Sequence, residues 1–322
     1  MRLILMGTGP FAVPSFEALK TAGHEIALVV TKPQPEVRSR KGPPPAPVRI
    51  WAETEGMEIF DPESINEPTA VQRIDAVNAD LMVVCDYGQI LTSQALETTR
   101  LGGINLHGSL LPRYRGAAPV QRSLLSGDRV TGVSVIHMTP RLDGGPIITT
   151  RETNIDDAET AGELEHRLAQ IGVAATLEAL ETLARWDGET QIGQPQDSTL
   201  ISKAPRLSKA EANIDWSRSA REIDCHVRGM QPWPVAFTHV QTAAMKQPLR
   251  LAIKRVTPLD ENQTGKESGE ILAGDGFLVA TGEGIIRIDS LQPAGKREMD
   301  SAEFLRGHPL PAGTVLGTAV TQ

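Results

Sequence analysis

Asn105 and His107 are separated by one residue in the run Ile104-Asn-Leu-His-Gly-Ser-Leu-Leu-Pro112. If the apolar residues around them form a strand, alternation sends both side chains to one face. The carboxyl end of such a strand is where open parallel α/β sheets bind their ligands. Gly108 frees the backbone directly after the pair, and Pro112 stops the run from continuing as regular structure. A carboxylate, Asp143, lies in Arg141-Leu-Asp-Gly-Gly-Pro146, a second loop after another apolar stretch at 132–138. An amide, an imidazole and a carboxylate are thereby expected to meet at one sheet edge. Together they suit transfer of an acyl group to an amine with no covalent intermediate on the enzyme. The amide or a protonated imidazole donates to the developing oxyanion. The carboxylate beside the imidazole moves a proton from the attacking to the departing nitrogen, directly or through a water. A single Asn or His at a strand end more often caps a turn or satisfies a backbone group. It is the alternation with glycine and proline, and the later Leu142-Asp-Gly-Gly145, that point to a site.

These residues need a scaffold, and 322 residues are too many for a typical single domain and suit two, each with its own core. A charged fraction of 22% is that of an ordinary soluble globular protein. Cys85 and Cys225 lie far apart without metal spacing, which implies buried thiols in a reducing compartment and no disulfide framework. The apolar start at residues 1–7 is too short for a signal peptide and no stretch could cross a bilayer, so a cytoplasmic location is expected. The net charge of −8 argues against a nucleic-acid partner. Its distribution argues the other way, although a basic stretch is more often a solvated face than a binding site: residues 201–255 carry ten Lys/Arg, among them Lys203, Arg206 and Lys209, against four acids.

Residues 2–6 read as a buried first strand, 7–10 as its turn, 13–21 as a helix with Pro14 in its first turn, and 25–31 as a second strand. Gly7-x-Gly9-x-x-Ala12 fits a loose dinucleotide fingerprint, which makes a nicotinamide-dependent oxidoreductase a rival reading. That reading wants an acidic residue near the end of the second strand, where the chain has Val30-Thr31-Lys32-Pro33. Residues 31–48 lack an apolar period and are crowded with prolines and with Arg38, Arg40 and Lys41, as expected of a functional or a disordered loop. The continuous apolar run at 80–87 reads as a central parallel strand buried on both faces. A long helix follows Thr160-Ala-Gly-Glu163, a polar glycine- and proline-containing linker follows at 187–203, and short strands at 249–256, 269–273, 277–281 and 285–288 suit a small β-barrel.

Asn105-Leu-His107, Ser109-Leu-Leu-Pro112, Arg115-Gly-Ala-Ala-Pro119 and Leu142-Asp-x-Gly145 together resemble the signature of the folate-dependent formyltransferases. Much of that pattern is shared with glycinamide ribonucleotide and sugar-nucleotide formyltransferases and with formyltetrahydrofolate hydrolases. Ala117-Ala-Pro-Val-Gln-Arg122 is nearer the branch that acts on tRNA. So are Lys203-Ala-Pro-Arg-Leu-Ser-Lys209, Ile214-Asp-Trp216, Gln231-Pro-Trp-Pro234, Ser290-Leu-Gln-Pro-Ala-Gly-Lys-Arg297 and Glu303-Phe-Leu-Arg-Gly307, which extend the resemblance over nearly the whole chain. It implies an α/β fold: an N-terminal, doubly wound, mostly parallel Rossmann-like sheet at 1–188, a linker at 189–205, and an OB-like barrel that binds tRNA at 206–322. It also implies 10-formyltetrahydrofolate as co-substrate, no metal, and formyl transfer to the α-amino group of methionine on initiator methionyl-tRNA by a protein that works as a monomer.

In site terms, the resemblance implies that Asn105, His107 and Asp143 are catalytic. Tyr87, Gly88, Gln89, Ile90 and Leu91, largely through their backbone, and Ser109, Leu110, Leu111 and Pro112 would wall the folate pocket. Arg38, Arg40, Lys41, Lys203, Arg206 and Lys209 would meet tRNA. The chain departs from the family pattern at Ser39, where an arginine is usual, at Gln231, often Asn, and at Val235, often Gly. The rivals are a sugar-nucleotide formyltransferase, which ignores tRNA, and an RNA-binding protein that binds no folate.

Overall fold

A computed structural model describes residues 1–34, 44–243, 245–259 and 265–317. The chain divides into two units: Met1–Val120, Val130–Asn154 and Glu163–Arg206 form the first, and Gln121–Arg129, Ile155–Gly162 and Leu207–Gln322 the second.

The strands of the first unit are β1 (Arg2–Gly7), β2 (Glu25–Val30), β3 (Ile59–Phe60), β4 (Leu81–Cys85), β5 (Gly103–His107), β6 (Arg115–Gly116), β7 (Val130–His137), β8 (Ile147–Asn154) and β9 (Lys203–Ala204). Seven of them make one sheet in the order β3-β2-β1-β4-β5-β7-β8. From β3 through β5 every pairing is parallel, and the chain reverses its direction of travel across the sheet between β1 and β4. This reversal is the topological switch point of a doubly wound sheet. β7 and β8 then add antiparallel at the β5 side. Every residue of β4, and Leu3 to Met6 of β1, is buried, as befits strands covered on both faces.

The helices α1 (Val13–Thr21), α2 (Pro47–Thr54) and α3 (Pro68–Asp75) each begin with a proline in the first turn, where its missing N–H costs nothing. They are followed by α4 (Ser93–Leu96), α5 (Pro119–Leu125) and the 24-residue α6 (Ala161–Ala184). Gly172 of α6 is fitted closely to the sheet, since a Cβ there would lie 2.7 Å from Leu106 Cδ2. Among the described residues no helix is long and apolar enough to cross a membrane.

The second unit contains α7 (Ala220–Gly229), started by a capping box of Ser219 and Glu222, and α8 (Ser301–Gly307). Its strands are β10 (Phe237–Val240), β11 (Leu249–Leu259), β12 (Phe277–Ala280), β13 (Ile285–Pro293) and β14 (Met299–Asp300). They form an antiparallel sheet in the order β10-β11-β13-β12, with β14 on β13; the path has two ends, so it is a half-barrel. Register shifts within β11 between Ile253 and Val256 mark the bulges that bend such a strand. The strand expected at 269–273 survives only as single bridges, Glu270 to Val315 and Ile271 to Val279. β10 was not apparent from the sequence pattern.

Candidate active site

β5 delivers Asn105 and His107 at its end, with side chains on one face as the two-residue period requires. Asp143 reaches them by an unexpected route. β7 runs antiparallel to β5, pairing His137 with Ile104 and Ser134 with His107, so the loop after β7 leaves the sheet beside the amino end of β5. It folds back to bring its carboxylate over the strand. Asn105 Nδ2 donates to Asp143 Oδ1 at 3.4 Å, Gly116 N donates to Asp143 Oδ2 at 2.9 Å, and His107 Nδ1 lies 3.8 Å from Asp143 Oδ2. The side chains of His107 and Asp143 are only 6% and 9% exposed, so what charge they carry is little screened by water.

The other imidazole nitrogen fixes the ring. His107 Nε2 lies 2.9 Å from the carbonyl oxygen of Tyr114. A carbonyl only accepts, so Nε2 carries the proton and Nδ1 is the nitrogen left toward Asp143. Tyr114 sits at φ +62°, in the left-handed region that side chains seldom adopt, and the 109–116 loop is tied from several sides to hold it there. Ser109 Oγ donates to Arg113 O at 2.7 Å, Ser134 Oγ donates to Ser109 O at 2.8 Å, and Leu111 N donates to Ser134 Oγ at 3.0 Å. Tyr114 N donates to Ser202 Oγ at 2.9 Å, and β6 pairs with β9. Ser109 and Leu111 are thus occupied in shaping this loop, while Leu110 and Pro112 are half-buried.

Five residues of this arrangement were not singled out from sequence: Tyr114, Arg115, Gly116, Gln196 and Ser202. Arg115 and Gly116 fall inside a recognisable motif, but nothing local indicates that a serine and a glutamine from the stretch expected as a linker, some 80 residues on, close against them within the first unit.

In the loop after β4, Tyr87 and Leu91 point into the hydrophobic core, each 1% exposed. Burial pushes the Tyr87 phenol far above its ordinary pKa. Gln89 spends its amide on Ile65 N and Glu63 O, and Asn66 is bonded to Ile90 O and Thr92 N. Gly88, at φ +81°, and Ile90 are exposed. A folate ring at this loop would therefore be read by main-chain groups, with the anchored side chains only holding the strip in place.

Asp86, at φ +50°, closes over the first turn: a Cβ on Gly9 would meet Asp86 Oδ2 at 1.9 Å, which requires glycine there without any dinucleotide. Solvent reaches Asp86, yet the surrounding protein displaces enough water to hold its carboxyl above the usual range, against the pull of Lys32, Arg206 and a hydrogen bond from Gly9 N. Burial and the Asp86 charge raise Glu165 likewise. Of the cations expected to meet tRNA, Lys203, Arg206 and Lys209 are exposed. Arg38, Arg40 and Lys41 lie outside the described residues. No group of His, Cys, Asp and Glu suited to hold a metal ion occurs among the described residues.

A doubly wound sheet on which an amide, an imidazole and a carboxylate converge suits transfer of an acyl group to an amine, and the class follows from the match of the chain itself. Residues 1–180 match the family Formyl transferase, and residues 206–309 match Formyl transferase, C-terminal domain. The methionyl-tRNA formyltransferase of Rhodopirellula baltica is 58% identical over 98% of this chain and 96% of its own length, and that of Parvibaculum lavamentivorans is 40% identical over 97% and 99%. The chain belongs to the methionyl-tRNA formyltransferases. An N-formyltransferase from Helicobacter canadensis, solved in complex with folinic acid and dTDP-3-aminofucose, superposes with a TM-score of 0.62 over 89% of this chain and 98% of its own; at 16% identity it shares the fold alone.

Proposed function

We propose that the protein transfers a formyl group from 10-formyltetrahydrofolate to the α-amino group of methionine on initiator methionyl-tRNA, for translation initiation. The observation that carries this reading is the meeting of Asn105, His107 and Asp143 in a chain whose relatives are methionyl-tRNA formyltransferases along nearly its full length. When bound, the folate supplies an activated formyl group on nitrogen. Everything else falls to the chain. Asn105 Nδ2 donates to the formyl oxygen as it gains negative charge. His107 has only Nδ1 to offer, since Nε2 is spent on Tyr114 O, and a proton on Nδ1 would be donated to the same oxygen beside the Asp143 carboxylate. Asp143, held by Gly116 N, accepts the proton that leaves the attacking amine and returns one to the departing nitrogen. The main-chain strip from Tyr87 to Leu91 and the 109–112 turn hold the folate.

In this reading residues 1–188 carry the chemistry, 189–205 link, and 206–322 bind tRNA with help from Arg38, Arg40, Lys41, Lys203, Arg206 and Lys209. The protein acts as a cytoplasmic monomer. Transfer of radioactive formyl from 10-formyltetrahydrofolate to charged initiator tRNA tests the reading, with elongator methionyl-tRNA as control. Rapid labelling of the initiator alone is expected. Folate binding with no labelling of either tRNA would overturn it.

A further inference from the structure

The Asp143 loop is strained: Asp143 sits at φ +48°, left-handed for a residue that has a side chain, so its place over β5 must be imposed from outside. Two carbonyls of that loop are bound by one amide. Gln196 Nε2 donates to Asp143 O at 2.8 Å and to Gly145 O at 2.7 Å. On its other side Gln196 Oε1 accepts from Arg115 Nε at 3.1 Å and from Arg115 Nη2 at 2.6 Å. The amide orientation follows from its partners, because the two carbonyls only accept and the guanidinium only donates. Both N–H groups and both lone pairs of one side chain are thereby used, and three segments are tied together: the linker, the 143–145 loop and the strand that carries Gly116. Neighbouring main chain reinforces the same joint, with Gln194 and Ile147 exchanging hydrogen bonds at 2.8 Å and Arg115 N donating to Ser202 O at 2.9 Å.

We infer that Gln196 is a positioning residue for formyl transfer: it sets the Asp143 carboxylate against Asn105 and His107, and through Arg115 it sets the Gly116 N–H that grips that carboxylate. This rests on the function proposed above. It touches no substrate in this role. Its effect belongs in turnover rather than in the binding of either substrate, because it acts on the placement of a proton-transferring group. Displacement of such a group by about 1 Å costs up to roughly 100-fold in rate.

Three measurements on the full chain test it: steady-state formyl transfer with KM for folate and for charged tRNA, thermal melting, and the exchange protection and chemical shift of the Gly116 amide proton, which requires no turnover. Gln196→Ala is expected to lower kcat roughly 10- to 100-fold. The two KM values should stay within about threefold, and the Gly116 amide, whose N–H donates to Asp143 Oδ2, should lose protection, as is also expected of Asp143→Ala. Gln196→Glu has the same shape and keeps its acceptors for Arg115, but sets oxygens against the two carbonyls; it is expected to be impaired at least as much, and it serves alone if Gln196→Ala does not fold. A kcat within twofold of the parent for Gln196→Glu, or a Gly116 amide unchanged in it, would overturn the inference. If the parent chain formylates no tRNA, the function fails on that arm while the Gly116 signal still decides whether Gln196 sets the carboxylate.

Discussion

Gly145 is the residue on which the Asp143 loop turns back, and replacing it by alanine is a defined displacement. A Cβ at Gly145 would lie 1.7 Å from the carbonyl oxygen of His137 and 2.9 Å from its carbonyl carbon. His137 has little room to yield, because it pairs with Ile104 of β5 and the next residue, Met138, donates to Gly103 O at 2.7 Å in the sheet. The loop must move instead, by about 1.3 Å before the contact relaxes even to 3.0 Å, and displacements of about 1 Å near the chemistry cost roughly 100-fold in rate. That factor corresponds to about 2.7 kcal/mol of transition-state stabilisation. The overpacking itself costs roughly 1–3 kcal/mol of stability, a drop of several degrees in Tm. Gly144→Ala is the milder comparison: its Cβ would meet Arg141 Cβ at 2.9 Å and Arg115 Nη1 at 3.4 Å, so that something must shift there too, but by about 1 Å less than at Gly145, and its kcat should fall clearly less. Formyl transfer at saturating substrates, paired with thermal melting, reads both effects. Equal kcat for the two variants, or a parent-like kcat for Gly145→Ala, would refute the geometric argument.

Two further predictions concern groups around the folate loop and the first turn. Tyr87→Phe should raise Tm slightly and leave the folate KM unchanged, because the hydroxyl is buried without a partner and the loop is expected to work through its main chain; a tenfold rise in KM would return the side chain to the site. Asp86 is a carboxyl held above its ordinary pKa in the fold, so the folded state binds its proton more tightly than the unfolded chain does. Any cost of ionising it is absent below the unfolded value of 3.8, grows as pH rises above that value, and is complete above the folded pKa. Asp86→Asn should therefore gain Tm over the parent at pH 8 and little or none at pH 4, and the opposite trend in paired melting curves would show the wrong sign. Its removal also takes away one of the causes that raise Glu165.

Where a structural cause is local, sequence reading succeeds. Alternation put Asn105 and His107 on one face, the unbroken apolar run at Leu81–Cys85 marked a strand buried on both sides, and Pro14 with its apolar spacing marked the helix Val13–Thr21. Where the cause is pairing between distant segments, it fails. The apolar stretch before Asp143 looks the same whether it joins β5 parallel or antiparallel, so the reversed loop was invisible. Ser202 and Gln196 sit in a polar stretch whose composition suggests only a linker, yet it belongs to the first unit and their side chains reach the site through contacts spanning 53 to 88 residues. The short edge strand Phe237–Val240 borrows its order from β11, and 269–273 has strand composition but too little pairing to become one.

If Asn105, His107 and Asp143 work as one device for formyl transfer, as proposed, a double-mutant cycle in single-turnover transfer to charged initiator tRNA will show their coupling. Asn105→Ala and Asp143→Ala should each fold normally and slow transfer by roughly 10²–10³-fold or more. The double variant should be little slower than the worse single one, since groups that act as a unit are strongly non-additive. Losses that multiply in the double variant would contradict the account, and a parent-like rate for either single variant would remove that residue from it.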